Sequence, residues 1–149
     1  MRFLRDPLTR RERSERMARI RSKNTNPELA VRKIVHSLGY RFRLHCPKLP
    51  GKPDLVLARH KAIIFVHGCF WHRHPDPHCK LARLPKSGLE FWLPKLNSNR
   101  DRDIRNQAEL RCMGWKILTV WECELRDSER LTAVIRAFLK RKVEDDAGR

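Results

Sequence analysis

The sequence predicts an α/β fold, a mixed central sheet flanked by helices, and three observations predict it. Apolar residues recur at helical spacing in two well-separated segments, around Val31–Leu38 and Leu131–Leu139. The run Ala62–Val66 is apolar on both faces, as a strand in the middle of a covered sheet must be. The elements follow the order α-β-β-β-α-β-α, which layers helices on a sheet. A chain of 149 residues, 40% hydrophobic, has material for one domain with its own core. The residues divide into a basic N-terminal arm (1–25), the folded domain (26–142) and a polar C-terminal tail (143–149).

The arm is basic and polar, with few apolar positions, Met17 and Ile20 among them. Asn26 is placed to cap the first helix, Pro27 suits its first position and Glu28 complements the positive end of the helix dipole. Val31, Ile34, Val35 and Leu38 form one apolar face, and Gly39 closes the helix. Tyr40, Phe42 and Leu44 alternate with Arg41 and Arg43, a half-buried strand. The loop Leu49–Asp54 enters a second strand over Leu55–Ala58, and Arg59–Lys61 turns into the third, Ala62–Val66. Residues 80–90 are expected as loop, and Phe91–Met113 as a helix interrupted near Pro94 and Asn97–Asn99. Gly114 ends that helix, and Trp115–Trp121 is the fourth strand, with Cys123 just beyond it. Core packing is expected for Trp115 and Trp121. The last helix carries Leu131, Val134, Ile135, Phe138 and Leu139 on one face and is capped by Asp127 or Ser128.

Charge is the strongest compositional signal. Lys and Arg number 34 against 17 Asp and Glu, a net charge of +17. Nucleic acid is the leading partner for such a chain, and an anionic membrane surface the weaker one. No stretch approaches roughly 20 consecutive apolar residues, so a membrane span is not expected. The N-terminus lacks the apolar core of a secretory signal. Five cysteines, an odd count interleaved with histidine, point to a reducing compartment and a metal site, not a disulfide framework.

The segment His67–Cys79 concentrates the chemistry. Cys69, His74 and Cys79, with Cys123 from the far strand, make a Cys₃His set suited to structural zinc. His78 competes with His74 for the fourth position. The plainer alternative is small buried cysteines beside surface histidines. His72 lies among these ligands and is a candidate general base, with Asp103 as its orienting carboxylate. For Asp103 a solvated helix face is the competing reading. Asp54, where a loop becomes a strand, can hold Mg²⁺, although Pro-Asp is also a common turn dipeptide. The next strand carries Phe65-Val66-His67 where the broad restriction-endonuclease pattern has Glu-x-Lys. Phe70, Trp71 and Trp92 sit among Arg73, Lys80, Arg83, Lys86 and Lys95, an arrangement that can stack on or wedge between bases.

Together these residues resemble the very short patch repair (Vsr) endonucleases of bacteria. The matching pieces are Ile20–Glu28, Leu49–Asp54, Ile64–His72, Glu90–Trp92 with Asn99–Asp103, and Gly114-Trp115 through Val120–Cys123. They run in family order from about residue 14 to 126, and the Gly-Cys-Phe-Trp-His run followed by a distant Trp-Glu-Cys is highly specific. Between His74 and Cys79 the chain carries Pro75–His78, a longer spacer than the compact one of some family members.

The resemblance implies a restriction-endonuclease-like sheet, with 26–142 as the endonuclease domain. It implies Mg²⁺-dependent nicking of one strand of double-stranded DNA, 5′ of the T in a T:G mismatch made by deamination of 5-methylcytosine. Asp54 and the Val66 backbone carbonyl would hold Mg²⁺, His72 would act as general base supported by Asp103, and Glu28 would act through water. Cys69, His74, Cys79 and Cys123 would hold structural zinc. Phe70, Trp71 and Trp92 would form the wedge, with Lys95 and Asn99 near the mismatched bases. A monomer in the bacterial cytoplasm, at the nucleoid, with mismatch-repair proteins as partners, completes what the resemblance implies.

Overall fold

The computed structural model describes residues 25–141. The expected arm, apart from Thr25, and the expected tail lie outside the described residues. Helix α1 (Asn26–Ser37) is followed by strands β1 (Arg43–Leu44), β2 (Leu55–Leu57) and β3 (Ala62–His67). Helix α2 (Leu89–Cys112), strand β4 (Lys116–Trp121) and helix α3 (Ser128–Lys140) complete the order expected from the sequence. The four strands lie in the order β1-β2-β3-β4. β1–β2 and β2–β3 are antiparallel, and β3–β4 is parallel with α2 between them in the chain.

The two faces of this mixed sheet follow from period-two alternation. Leu55, Leu57, Ala62, Ile64 and Val120 pack with Val31 and Val35 of α1 and with Leu131, Ile135, Phe138 and Leu139 of α3. The alternate residues Val56, Ile63 and Phe65 pack on Leu110 of α2, with Trp115 and Ile117 beside them. β3 is the central strand, and its residues 62–65 are buried whichever way they point.

Several local expectations need correction. The α1 cap is Thr25, not Asn26: the Thr25 hydroxyl accepts the Glu28 N–H (3.4 Å), placing the acid at the third helical position. β1 spans two residues instead of five, because Tyr40 and Phe42 pack against the core without joining the ladder. Helix α2 begins two residues earlier than expected and runs through Pro94 and Asn97–Asn99 without interruption. Pro94 forfeits one backbone bond there, but tertiary contacts hold both sides. Leu96 is fully buried, Asn97 accepts from Arg73 and Asn99 donates to the Trp71 carbonyl. Trp115 packs as expected. Trp121 does not lie in either core cluster; it is half-buried at the end of β4, stacked on His74.

The remaining caps follow chain chemistry. Gly39 takes φ +89° just past α1, a conformation that strains any residue with a Cβ. Asp127 caps α3 by accepting the Arg130 N–H (3.1 Å). At the other end of α3, the buried Lys116 ammonium donates to the carbonyls of Phe138, Leu139 and Arg141. No helix among the described residues is long and apolar enough to cross a membrane.

Candidate active site and thiol cluster

Register brings the site together. Antiparallel pairing sets Leu55 against Ile64, so Asp54, one residue before β2, lies beside the end of β3. Its Oδ2 accepts the Val66 N–H at 2.7 Å. Pairing of Leu44 with Leu55 brings His45 alongside, and the His45 N–H donates to the Asp54 carbonyl (3.2 Å). Glu28, in the first turn of α1, completes the group. It is 2% exposed, its Oε2 lies 2.8 Å from His45 Nε2, and it accepts from Arg32 at 3.0 Å. Glu28, His45 and Asp54 offer ligand atoms within 4.8 Å of one another. Burial raises the Asp54 pKa to about 7; the Val66 N–H opposes this, and the Glu28 carboxylate adds to it. The Arg32 guanidinium already stands at this group, 3.0 Å from Glu28 Oε2 and 3.5 Å from His45 Nε2, and two carboxylates with an imidazole beside them are also donors suited to a divalent cation.

The second group lies across the same cleft. The turn after β3, in which the His72 N–H donates to the Gly68 carbonyl (3.1 Å), presents His72 to Asp103 on α2. His72 Nδ1 and Asp103 Oδ2 are 2.5 Å apart. A carboxylate at Nδ1 fixes the proton there and leaves Nε2 as the ring's basic nitrogen. His67 stacks flat on His72, with centroids 3.9 Å apart and planes within 5°. Burial, then the neighbouring His72, drive the His67 pKa down to about 3 against the pull of Asp103. A neutral His67 can lie against His72 without charge repulsion, and its buried Nδ1 has no hydrogen-bond partner among the described residues.

The parallel register His67↔Trp121 also builds the thiol cluster, because both chains run on side by side. Two residues further along each, the Cys123 N–H donates to Cys69 Sγ (3.4 Å). The loop then doubles back: Arg73 takes φ +52° and the His74 N–H donates to the Cys69 carbonyl (2.9 Å). This puts His74 Nδ1 3.5 Å from Cys123 Sγ. Cys69, His74, Cys79 and Cys123 place their ligand atoms within 4.8 Å of one another, and His78 is not in that set. None of the five cysteines is in a disulfide. Burial pushes the Cys69 thiol up to about 12 and raises Cys123. Burial also opposes ionisation of Cys79, but hydrogen bonds from the Ala82 N–H, Cys69 and the Leu81 N–H outweigh it and lower its pKa.

The aromatic residues gather edge to face. Phe70 lies 5.1 Å from Trp71 and 5.3 Å from Trp92, and Trp71 lies 5.9 Å from Trp92. Phe91 extends the group at 5.1 Å from Trp92. Gly68 lets Trp71 fold back: a Cβ there would come within 3.3 Å of the indole. Asn99 holds the Trp71 carbonyl (3.1 Å) and takes a bond from Arg102 (2.7 Å). Phe70, Trp71, Lys95 and Asn99 line the cleft that Asp54, Val66 and His72 also line.

The candidate site residues fall into the cleft and the thiol cluster, except His78, which is in neither, and Trp92, which meets the cleft through Phe70 and Trp71. His45 and His67 were missed. His67 shares the parity of Ile63 and Phe65, the α2 face, which is a period-two signal that could have placed it under Asp103. His45 carried no local signal; only strand pairing puts it beside Asp54.

The family model of the DNA mismatch endonuclease Vsr matches residues 5–80. The chain belongs to the Vsr endonuclease family. It is 49% identical over 134 residues to the type II nicking enzyme V.XorIIP of Xanthomonas oryzae, covering 90% of this chain and 96% of that one. It is 43% identical over 135 residues to the type II nicking enzyme V.NmeAIP of Neisseria meningitidis, with 88% and 94% covered. To the DNA mismatch endonuclease Vsr of Escherichia coli it is 42% identical over 120 residues, with 80% and 75% covered. As a Vsr-family member it is a DNA endonuclease, and the basic composition fits that substrate.

Proposed function

We propose that this chain nicks one strand of double-stranded DNA on the 5′ side of the T in a T:G mismatch left by deamination of 5-methylcytosine. The observation that carries the reading is the 2.5 Å His72–Asp103 pair, set in one cleft with Asp54 and Glu28. Asp103 holds His72 in the tautomer that leaves Nε2 basic, and His72 takes the proton of the attacking water. His67 packs flat on a face of that ring and limits its rotation. Asp54 and the Val66 carbonyl are the proposed Mg²⁺ ligands, with Glu28 acting through water. When bound, Mg²⁺ would polarise the scissile phosphate and offset its developing charge.

Phe70, Trp71 and Trp92 are the proposed wedge, with Lys95 and Asn99 near the mismatched pair. Opening a base step costs a few kcal/mol and least at a mismatch, which favours the T:G site. Zinc suits Cys69, His74, Cys79 and Cys123 because three sulfurs and one imidazole make a closed tetrahedral set. There it would tie the 67–79 loop to the end of β4. The antiparallel β2–β3 pair that opens on Asp54, followed by the parallel β4, supports a restriction-endonuclease-like sheet. Mismatch-repair proteins are the proposed partners. A non-catalytic DNA-binding module would leave Asp54, His72, Glu28 and Asp103 together without a role.

Labelled duplexes carrying T:G, C:G or another mismatch, incubated with and without Mg²⁺, test this. Mg²⁺-dependent nicking of the T:G duplex alone is the expected result. Cleavage of a different mismatch, or binding with no cleavage, would overturn it.

A further inference from the structure

His45 has no assigned role, yet its ring is built into the acidic end of the cleft. Its backbone sits at φ +46°, in the left-handed region that L-residues avoid, and turns the chain out of β1. That turn carries the ring away from the sheet edge and toward the first turn of α1. Nε2 stands 2.8 Å from Glu28 Oε2, and the His45 N–H holds the Asp54 backbone. Glu28, His45 and Asp54 therefore converge as one oxygen, one nitrogen and one oxygen donor within 4.8 Å. They line a cleft whose wall includes the β3 end at Val66 and His67, with the His67 Nδ1 buried and without a hydrogen-bond partner among the described residues.

Donor type decides which ion such a set prefers. Mg²⁺ demands oxygen ligands in near-ideal octahedral geometry and gives up water reluctantly. Imidazole suits first-row transition ions, and affinity for a nitrogen-containing site rises along that series. We propose that His45 is a nitrogen ligand of the divalent-metal site at Asp54, with Glu28 beside it, so that this chain binds Mn²⁺ and later first-row ions in preference to Mg²⁺. The inference rests on the reading of Asp54 as a metal ligand. It requires the tautomer that carries its proton on Nδ1, so that the Nε2 lone pair faces the ion, and it requires the Arg32 guanidinium, 3.5 Å from Nε2, to give way.

Zinc-loaded full-length protein, titrated with Mn²⁺ and followed by electron paramagnetic resonance, gives a readout independent of activity. Bound Mn²⁺ in the wild type should show nitrogen modulation in its spin echo, and Mg²⁺ should compete poorly. His45→Gln keeps a polar group of similar length toward Glu28 but removes the imidazole. It should abolish the modulation and weaken Mn²⁺ binding about tenfold or more, with Mg²⁺ affinity changed less than about twofold. Equal losses for both ions would mean that His45 only positions Glu28, and would overturn the proposal. Unchanged Mn²⁺ affinity and modulation would also overturn it. Asp54→Asn separates the two levels. If that variant loses Mn²⁺ while His45→Gln does not, the nitrogen ligand alone is wrong. If neither variant affects Mn²⁺, Asp54 is no ligand and the reading beneath falls as well.

Discussion

Two donor clusters stand at the same end of the sheet, and they differ in every respect that governs function. Cys69, His74, Cys79 and Cys123 are closed: four donors face one another, and three of them come from an eleven-residue stretch, 69–79. Glu28, His45 and Asp54 are open: they come from a helix start and two strand ends, and they line a cleft. The closed set is soft and sulfur-rich, the chemistry of a structural site. The open set is two carboxylates and one imidazole, and the His72–Asp103 pair, 2.5 Å apart, lines the same cleft. The difference teaches that one loop can be scaffold and reactive wall at once. Cys69 and His74 anchor it, and His72 between them faces the cleft.

If the clusters do separate jobs, variants should separate them, and the largest effects come first. Asp54→Ala should abolish Mg²⁺-dependent nicking, while zinc measured by atomic absorption stays near one per chain. His72→Ala should lower single-turnover nicking by about 10²–10⁴-fold and leave T:G binding, read by gel shift, unchanged. Full activity in that variant would remove His72 as the base. Cys123→Ser should act on the other cluster, losing the zinc and lowering the melting temperature, with mismatch binding falling because the wedge loop loosens. Normal zinc content and melting there would dissolve the contrast.

A smaller effect sharpens the electrostatics of the open set. The folded-state pKa of Asp54, about 7, lies above the ordinary carboxylate value. The folded protein therefore holds a proton that the unfolded chain has lost, and without added divalent ions stability falls as pH rises from about 4 to 7. Asp54→Asn should remove that fall, so that the variant gains melting temperature over wild type at pH 8 and less at pH 5. Thermal scans at pH 5 and pH 8 check it; a variant that melts lower than wild type at pH 8 would contradict the charge assignment.

Legibility followed locality. Cys69, His74 and Cys79 lie close in sequence, so their chemistry could be read directly, and the element order was readable from periodicity. Sequence spacing favoured His74 with His78 as its competitor, and the left-handed turn at Arg73, which no composition rule predicts, is what brings His74 and not His78 to the thiols. His45 was invisible because its neighbour Asp54 is brought close by β1–β2 pairing. Pro94 misled because propensity predicts a break, while the buried Leu96 and the Asn97 and Asn99 bonds hold α2 straight through. Trp121 looked like core material in a strand, but its position at the strand end lets it stack on His74 and meet His67 edge-on.

The division of labour between the two clusters is tested most directly by Asp54→Asn protein that still carries one zinc. A 5′-labelled T:G duplex would be assayed for binding and single-turnover nicking in Mg²⁺. The account predicts wild-type binding with no detectable nick. Nicking at the wild-type rate by that zinc-loaded variant would contradict it.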